Sequence, residues 1–391
     1  MILYLIIFLI PVFAYFTGPA ENRNKKFLLC YMTALMLFVG LSDMFGGYDR
    51  YIYGGVFDRI ADGISDGNNY ETISGFKHFE VGYSTLSYII ALITENRYIY
   101  IFIITALIYF FIYKSFERVM PNYPLAVIIF LGMMFFFTFT YLRQVLAFSI
   151  AWYGTRYFID KKYWKFLIII AIVTLMHKSG IVFAGLCLIP KKKFSTGTIV
   201  VILLICGVIG LSGLAGAVYD TFINVSEIEV RQNYSTEDSS RIAYIVEVAF
   251  FTWLILINYN KIEPTRKNLI LLNMAWCFCA LLLLFMKSSD GGRVAWFFTY
   301  GIIYTSTLVC IPNHSQIRQY GKNVLTTFIM VVMLVLYMRI YIAWQQYNNL
   351  YPYKTFLTDG VRYPDYSWDR YEYDHNYDMD KFYRPAFRFI K

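Results

Sequence analysis

Long apolar runs separated by short basic clusters are the feature that most constrains this chain. Most runs approach the length of about 20 residues that a helix needs to cross a bilayer. Only 16% of the 391 residues are charged and 58% are hydrophobic, whereas soluble domains carry about 25% charged residues. We therefore predict an all-α, polytopic integral membrane protein with about 10–12 membrane segments. The runs are 1–18, 26–42, 79–94, 98–113, 124–141, 145–159, 166–189, 197–218, 242–258, 269–286, 294–311 and 324–343.

The net charge of +9 does not indicate nucleic-acid binding. The basic residues lie in short clusters between apolar runs, where the positive-inside rule places them. The six cysteines lie within or beside apolar runs and lack metal-ligand spacing, so they are expected to be small core residues. No metal and no other cofactor is predicted. Run 1–18 lacks a basic leader and a cleavage site, so it is expected to be a mature span.

Two runs are unsuited to a simple crossing. Polar residues dilute 79–94, and the segment 177–180 interrupts 166–189. Basic clusters flank the second run on both sides, so we expect it to dip into the membrane and return with His177 at its tip. Counting both runs as re-entrant or interfacial leaves ten crossings, both termini outside, and the better distribution of Lys and Arg.

The chain divides into a transmembrane domain, 1–343, and an extracytoplasmic aromatic tail, 344–391. The tail holds nine tyrosines and balances seven acidic against seven basic residues, which is too aromatic for a disordered linker. It is expected to pack on the outer loops or to offer stacking surfaces for sugar rings. An aromatic belt at the membrane interface is the alternative.

Charged residues at membrane depth are costly and mark functional sites by default. Arg143, followed by Gln144, separates two apolar runs and offers bidentate hydrogen bonds to a phosphate or carboxylate. His177, followed by Lys178, suits a general base or a hydrogen-bond donor to an anion, because a histidine titrates near neutrality. Arg293 follows two glycines that allow backbone amides to approach an anion. The structural alternatives are a snorkelling arginine, a hydrogen-bonded histidine and an Asp290–Arg293 pair.

Further candidates lie nearby in the predicted topology. Glu247 is the one carboxylate well inside a long apolar run, and a pair with an arginine is its structural alternative. Glu80 and Arg241 fall on the outer face, as does the first outer loop with Asp49 among tyrosines such as Tyr53. Glu80 and Glu247 are alternative bases. Arg241, Asp49 and Tyr53 are predicted to bind substrate, as are Gln144 and Lys178.

Six short motifs occur in the order seen in a known family. They are Tyr48-Asp49 with Tyr53, Phe79-Glu80-Val81-Gly82-Tyr83, Leu142-Arg143-Gln144 with Ala147, Lys161-Lys162 with Lys165-Phe166, His177-Lys178-Ser179, and Arg293 followed by aromatics. Because these motifs occur in this order, the chain resembles the EpsG family of Wzy-like polysaccharide polymerases. The resemblance covers roughly residues 45–300 and leaves the tail without a counterpart.

The resemblance implies a GT-C-like glycosyltransferase that joins repeat units carried on undecaprenyl pyrophosphate, on the outer face of the bacterial plasma membrane. Arg143 and Arg293 would hold the pyrophosphate, and His177, Glu247 or Glu80 would deprotonate the acceptor hydroxyl. The partners would be the lipid-linked glycan donor and acceptor, the bilayer, and possible flippase and chain-length regulator proteins. A lipid-linked oligosaccharide flippase and a membrane O-acyltransferase are the rival interpretations.

Overall fold

The computed structural model describes residues 1–19, 22–42, 48–68, 79–218, 242–288, 291–311, 324–345, 350, 353, 355–359 and 384–388. It is 81% helical and has no strand among these residues. The predicted all-α class is therefore confirmed.

The helices follow one another with short connections. They are α1 (Ile2–Thr17), α2 (Lys25–Gly40), α3 (Tyr48–Ser65), α4 (Val81–Ala91), α5 (Arg97–Val119), α6 (Tyr123–Met133), α7 (Phe137–Thr140), α8 (Leu142–Ile159), α9 (Tyr163–Met176), α10 (Thr196–Ser212), α11 (Ile242–Ile257), α12 (Arg266–Leu284), α13 (Thr299–Cys310), α14 (Val324–Gln345) and α15 (Phe356–Asp359). Two 3₁₀ helices matter for the site: η1 (Lys178–Cys187) and η2 (Gly291–Phe298).

Three helices of the described chain are long and apolar enough to cross a membrane: α5, α12 and the 324–343 part of α14. Seven shorter apolar segments accompany them: α1, α4, α6, α9, η1, α10 and α11. Large aliphatic side chains are exposed along α1 and α10, as expected where a helix faces lipid instead of water. These features identify a helical integral membrane protein.

The bundle is organised around α6, whose eleven residues are all buried. Helix α6 packs against α1, α13 and α14. Helix α5 packs against α2 and α8, and α12 packs against α13. Gly301 lets α13 approach α12 closely, because a Cβ there would lie 2.5 Å from the Leu271 carbonyl oxygen. The core is therefore a set of helices buried nearly all round, as expected inside a membrane bundle.

The chain reverses at His177, as predicted. Helix α9 ends at Met176, His177 is extended at φ −156° and ψ 124°, and η1 begins at Lys178. Helix η1 packs back on α9, and Lys191 beyond it donates to the hydroxyl of Tyr163 at 3.4 Å. The basic clusters before α9 and after η1 therefore lie at the same end of the bundle.

Helix α8 runs between the two ends of the bundle and serves to name them. Arg143 is in its first turn and Arg156 is in its last turn. Their separation of 13 positions corresponds to about 20 Å along the helix axis. We call these the Arg143 end and the Arg156 end. The basic segments around Lys162 and Lys191 lie at the Arg156 end, beside the C-terminus of α8.

Helix α3 lies across the Arg143 end and is held by charged pairs. Asp58 is fully buried and pairs with Arg97 at the start of α5. Asp62 pairs with Arg384 from the tail, and Arg388 pairs with Glu95 at 2.6 Å. Asp58 and Asp62 of α3 thus dock neighbouring segments.

The other described part of the tail also contacts the body of the protein. Tyr353 stacks on Phe38 with ring centres 4.2 Å apart and donates to the Phe38 carbonyl oxygen at 2.8 Å. Phe356 stacks on Tyr98 at 5.0 Å. Both flanks of segment 360–383 are therefore fastened at the Arg143 end. Most of the nine tail tyrosines, which are predicted to pack on the outer loops or to stack on sugars, lie outside the described residues.

Candidate active site

An ion pair joins two of the sequence motifs at the Arg143 end. Nη1 of Arg143 donates to Oε2 of Glu80 at 2.5 Å, with only 14% and 6% of the two side chains exposed. The other carboxylate oxygen, Oε1, accepts the backbone N–H of Lys178 at 2.9 Å. Glu80 therefore links the start of α8 to the start of η1, although 63 and 98 residues separate it from its two partners.

Gly82 explains how α4 comes so close to the end of α9. A Cβ at this position would lie 2.8 Å from both the Cβ and the carbonyl oxygen of Leu175. Glycine therefore lets the first turn of α4 lie directly against the last turn of α9. Glu80, which occupies the N-cap position of α4, is thereby brought next to His177 and Lys178.

The His177 ring is held by the residue two positions later. Nδ1 lies 2.7 Å from Oγ of Ser179 and 3.3 Å from its backbone nitrogen. Ser179 is buried, His177 is half-buried and Lys178 is exposed. Nδ1 accepts the Ser179 backbone N–H, and the direction of its bond with the Ser179 hydroxyl depends on the tautomer of the ring. Ser179 therefore serves here as an orienting partner of the histidine.

Aromatic rings support both candidate arginines. The Arg143 guanidinium lies 4.6 Å from the centre of the Phe79 ring, and the Arg293 guanidinium lies 4.1 Å from that of Tyr141. Contact with a ring face stabilises a cation without consuming its hydrogen-bond donors. Tyr53 packs on Phe79 with ring centres 5.4 Å apart.

The electrostatic neighbours of Tyr53 show which charges share this region. Burial raises the pKa of its hydroxyl, and Arg143 and Arg293 oppose that rise while Asp49 adds to it. Arg143 also hydrogen-bonds the hydroxyl. Asp49 is one helical turn before Tyr53 on α3. Two arginines and one aspartate from three separate parts of the sequence therefore surround a single tyrosine.

Gln144 positions the segment that carries Arg293. Its Nε2 donates to the Arg293 backbone carbonyl oxygen at 2.9 Å, and the side chain is buried. Trp152, two turns further along α8, donates from Nε1 to the carbonyl oxygen of Phe297 at 3.2 Å. The start of α8 thus supplies Arg143 directly and fixes η2, on which Arg293 lies.

The ionisation of Glu80 reflects its partners. Burial alone opposes the charged carboxylate, but Arg143, His177 and the Lys178 backbone N–H together outweigh it. The pKa of Glu80 consequently lies below its ordinary value. A carboxylate that is held ionised and has both oxygens engaged is better suited to organising cations than to accepting a proton.

The structure does not bring every candidate into this cluster. The electrostatic neighbours of Glu247 are Arg339 and Cys279, so its described surroundings are the other helices of its own region. Tyr244, one turn before it, does come close to Gly292 at the start of η2. Arg241 and Asp290 lie outside the described residues.

Some contributors were missed in the choice of site residues. Phe79 stands in a quoted motif and Tyr141 directly precedes another, but nothing in their spacing reveals that each lies under an arginine. Ser179 follows His177 by two residues, and that spacing is the signal for its capping contact. Tyr83, whose hydroxyl accepts from Tyr100 at 2.8 Å, underlies the site and carries no such signal.

Comparison with known proteins identifies the family. The EpsG family model matches residues 27–355. The chain belongs to the EpsG family. This is a family of Wzy-like polysaccharide polymerases, so the predicted resemblance is confirmed over a longer stretch than the motifs cover. No curated protein and no solved structure matches the chain. All the clustered site residues described above fall within the matched range.

Proposed function

We propose that this EpsG-family protein is a glycosyltransferase that elongates a glycan carried on undecaprenyl pyrophosphate at the outer face of the bacterial plasma membrane. The observation that carries the proposal is the convergence of Arg143, Lys178, His177 and Arg293 at one end of the bundle. Guanidinium groups bind pyrophosphate oxygens bidentately, and a fixed pair of them neutralises the leaving group as it departs.

The reaction is a substitution at the anomeric carbon of the donor. The acceptor hydroxyl oxygen forms the new bond to this carbon while the bond to the pyrophosphate oxygen breaks. Undecaprenyl pyrophosphate leaves with the electron pair, held by Arg143 and Arg293. The hydroxyl proton passes to the imidazole of His177, which Ser179 holds through Nδ1. Glu80 keeps Arg143 and the Lys178 amide in place.

The other two candidate bases fit this role less well. Both oxygens of Glu80 already accept hydrogen bonds, and its pKa is lowered. The described electrostatic neighbours of Glu247 are Cys279 on α12 and Arg339 on α14, and neither belongs to the cluster around Arg143. Tyr53, Asp49 and Gln144 complete the site as substrate-facing or positioning groups, and the aromatic rings beside them suit sugar stacking.

The distribution of basic clusters supports an outward-facing site. Lys162, Lys165, Lys191 and Arg266 gather at the Arg156 end, where Arg266 donates to the last carbonyl oxygens of α8. The positive-inside rule places that end in the cytoplasm. The Arg143 end then faces outward, where lipid-linked repeat units are polymerised.

The decisive experiment uses purified protein and lipid-linked repeat units, with glycan ladders as the readout. Arg143→Ala should lower elongation by about 100-fold or more, the usual cost of losing one transition-state donor. Arg59→Ala, an exposed arginine of α3, is the matched control and should leave the ladder unchanged. A normal ladder from Arg143→Ala would refute the assignment. Translocation without elongation by the wild type would favour a flippase.

Orientation has its own test in a cysteine-free background, which removes the exposed Cys30 and Cys187. A cysteine introduced at position 178 should react with a membrane-impermeant thiol reagent added outside intact cells. One introduced at position 162 should react only after the membrane is opened. The reverse result would place the site in the cytoplasm.

A further inference from the structure

A second charged site lies at the Arg156 end, about 20 Å from Arg143 along α8. It is a cleft of about 430 Å³, which we call the basic cleft. Three segments of the bundle contribute to it: the start of α2, the last turns of α5 and the last turns of α8. The residues that line it are Arg23, Lys25, Phe110, Lys114, Glu117, Arg118, Tyr153 and Arg156.

The charges of the basic cleft do not balance among the described residues. Five cationic side chains line it, and Glu117 is the one acidic side chain in the lining. Glu117 is shared between Lys25 and Lys114, at 3.2 Å from each. Arg118 pairs with Asp160 just outside the cleft at 3.1 Å. Five positive charges against two negative charges leave a surplus of three.

The guanidinium groups are held in place by only part of their donors. Arg156 donates from Nη2 to the Lys114 carbonyl oxygen at 2.8 Å and from Nε to that of Tyr153 at 3.1 Å. It also lies 3.7 Å from the centre of the Tyr153 ring. Arg23 donates from Nη2 to the Glu117 carbonyl oxygen at 3.2 Å. These described bonds fix the groups and do not engage Nη1 of either arginine, so that donor can bind an anion.

The cleft changes from charged to aromatic along α5. Phe110, Lys114 and Arg118 are spaced four residues apart and so lie on one face of this helix. Arg118 is near the helix end, and Phe110 lies about 12 Å deeper. Phe110 is half exposed on a helix long and apolar enough to cross the membrane. Such a gradient fits an amphiphile, with its anionic group at the arginines and a hydrocarbon chain beside Phe110.

We infer that the basic cleft binds the phosphate of an anionic phospholipid, as a site separate from the glycan-transfer site. Arginine and lysine clusters between helices at the bilayer surface bind such headgroups by charge-assisted hydrogen bonds. A soluble phosphate shares the headgroup chemistry but gains nothing from Phe110. The exposed ring on a spanning helix therefore assigns the site to a lipid.

The test is native mass spectrometry of the delipidated full-length protein titrated with phosphatidylglycerol or with phosphatidylcholine of the same acyl chains. Wild-type protein should bind phosphatidylglycerol severalfold more tightly. The double variant Lys25→Gln/Lys114→Gln should bind about 25-fold more weakly, since each cation at the headgroup contributes about fivefold. The matched control is Lys162→Gln/Lys165→Gln, two exposed lysines at the same end, which should bind like wild type.

Three results would overturn the inference. The first is equal binding of the two lipids by the wild-type protein. The second is an equal loss of affinity in the two double variants, which would show a diffuse surface attraction. The third is displacement of phosphatidylglycerol by millimolar glycerol phosphate, which would assign the cleft to a soluble phosphate. Unchanged melting temperatures show that both variants are folded.

Discussion

The two ends of α8 each carry an arginine that lies on an aromatic ring, and they use it differently. At one end, Arg143 lies over Phe79 and is paired with the buried carboxylate of Glu80. At the other end, Arg156 lies over Tyr153 and donates to backbone carbonyl oxygens. The first arginine is compensated by a full negative charge, and the second is not.

This difference separates a fixed site from an open one. A buried ion pair whose oxygens are all engaged holds its members in one geometry, and removing one member leaves an uncompensated charge. Carbonyl partners orient a guanidinium without cancelling its charge, so the Arg156 end keeps a positive surplus. The first arrangement suits transfer chemistry, which needs precise positions. The second suits an anion that comes and goes.

The largest expected effect comes from removing the compensating charge at the Arg143 end. Glu80→Gln keeps the shape of the side chain, but it leaves Arg143 beside a neutral partner and weakens the bond from the Lys178 amide. We expect elongation to fall by about 100-fold. The glycan ladder assay measures it, with Glu95→Gln as the control carboxylate at the same end. Equal ladders from Glu80→Gln and wild type would show that the pair is not needed to position the site.

Loss of the hydrogen bond between Gln144 and Arg293 should have the next largest effect on activity. Gln144→Leu removes the donor to the part-buried Arg293 carbonyl oxygen, and the loss of this hydrogen bond costs about 1 kcal/mol. We expect kcat to fall by about tenfold with little change in melting temperature, because η2 is also held by Trp152. Gln144→Glu also lacks the amide donor and places a negative charge beside the carbonyl oxygen, so kcat should fall at least as far. Full kcat in both variants would contradict the positioning role.

The pH dependence of stability should follow the ionisation of Glu80. Its pKa is lowered in the folded protein, so its contribution is fully present above the ordinary value of about 4.3. The contribution is lost as the pH falls through the lower folded value. Melting temperature should therefore decline more steeply for wild type than for Glu80→Gln as the pH is lowered below about 4.3. Parallel curves for the two proteins would exclude this linkage.

The smallest effect is expected at the Arg156 end. The pair between Arg118 and Asp160 is 54% and 29% exposed, and exposed pairs contribute about 0–1 kcal/mol. Arg118→Gln should therefore shift the melting temperature by no more than about 2 °C, whereas Arg143→Gln should lower it clearly. Similar shifts at the two ends would remove the energetic difference between them.

Much of the fold and part of the site could be predicted from local patterns. The length of the apolar runs specifies membrane helices, because every backbone polar group in lipid must be bonded within its own segment. The interruption at residues 177–180 with basic clusters on both sides predicts the reversal after α9, and the contact between Lys191 and Tyr163 confirms it. Arg143 and His177 were selected because charge is costly within such runs.

The pairing of these groups could not be predicted, because it depends on contacts between distant segments. Glu80 was chosen as a possible base, and only its two bonds reveal an organising carboxylate. Gln144 is predicted to bind substrate, and only the structure shows that its amide also holds the backbone of Arg293. Nothing in the local sequence indicates the partners of Asp58 and Asp62, which the structure pairs with Arg97 and Arg384.

The sequence by itself determined that this is an all-helical membrane protein, and it pointed to the family and to the rare charges worth examining. These properties depend on composition and spacing along a single segment. Only the tertiary structure decided which charges meet. Gly82 lets α4 lie against the end of α9, and that close approach sets Glu80 between Arg143 and Lys178. An ion pair across 63 residues depends on such packing, which local sequence patterns do not encode.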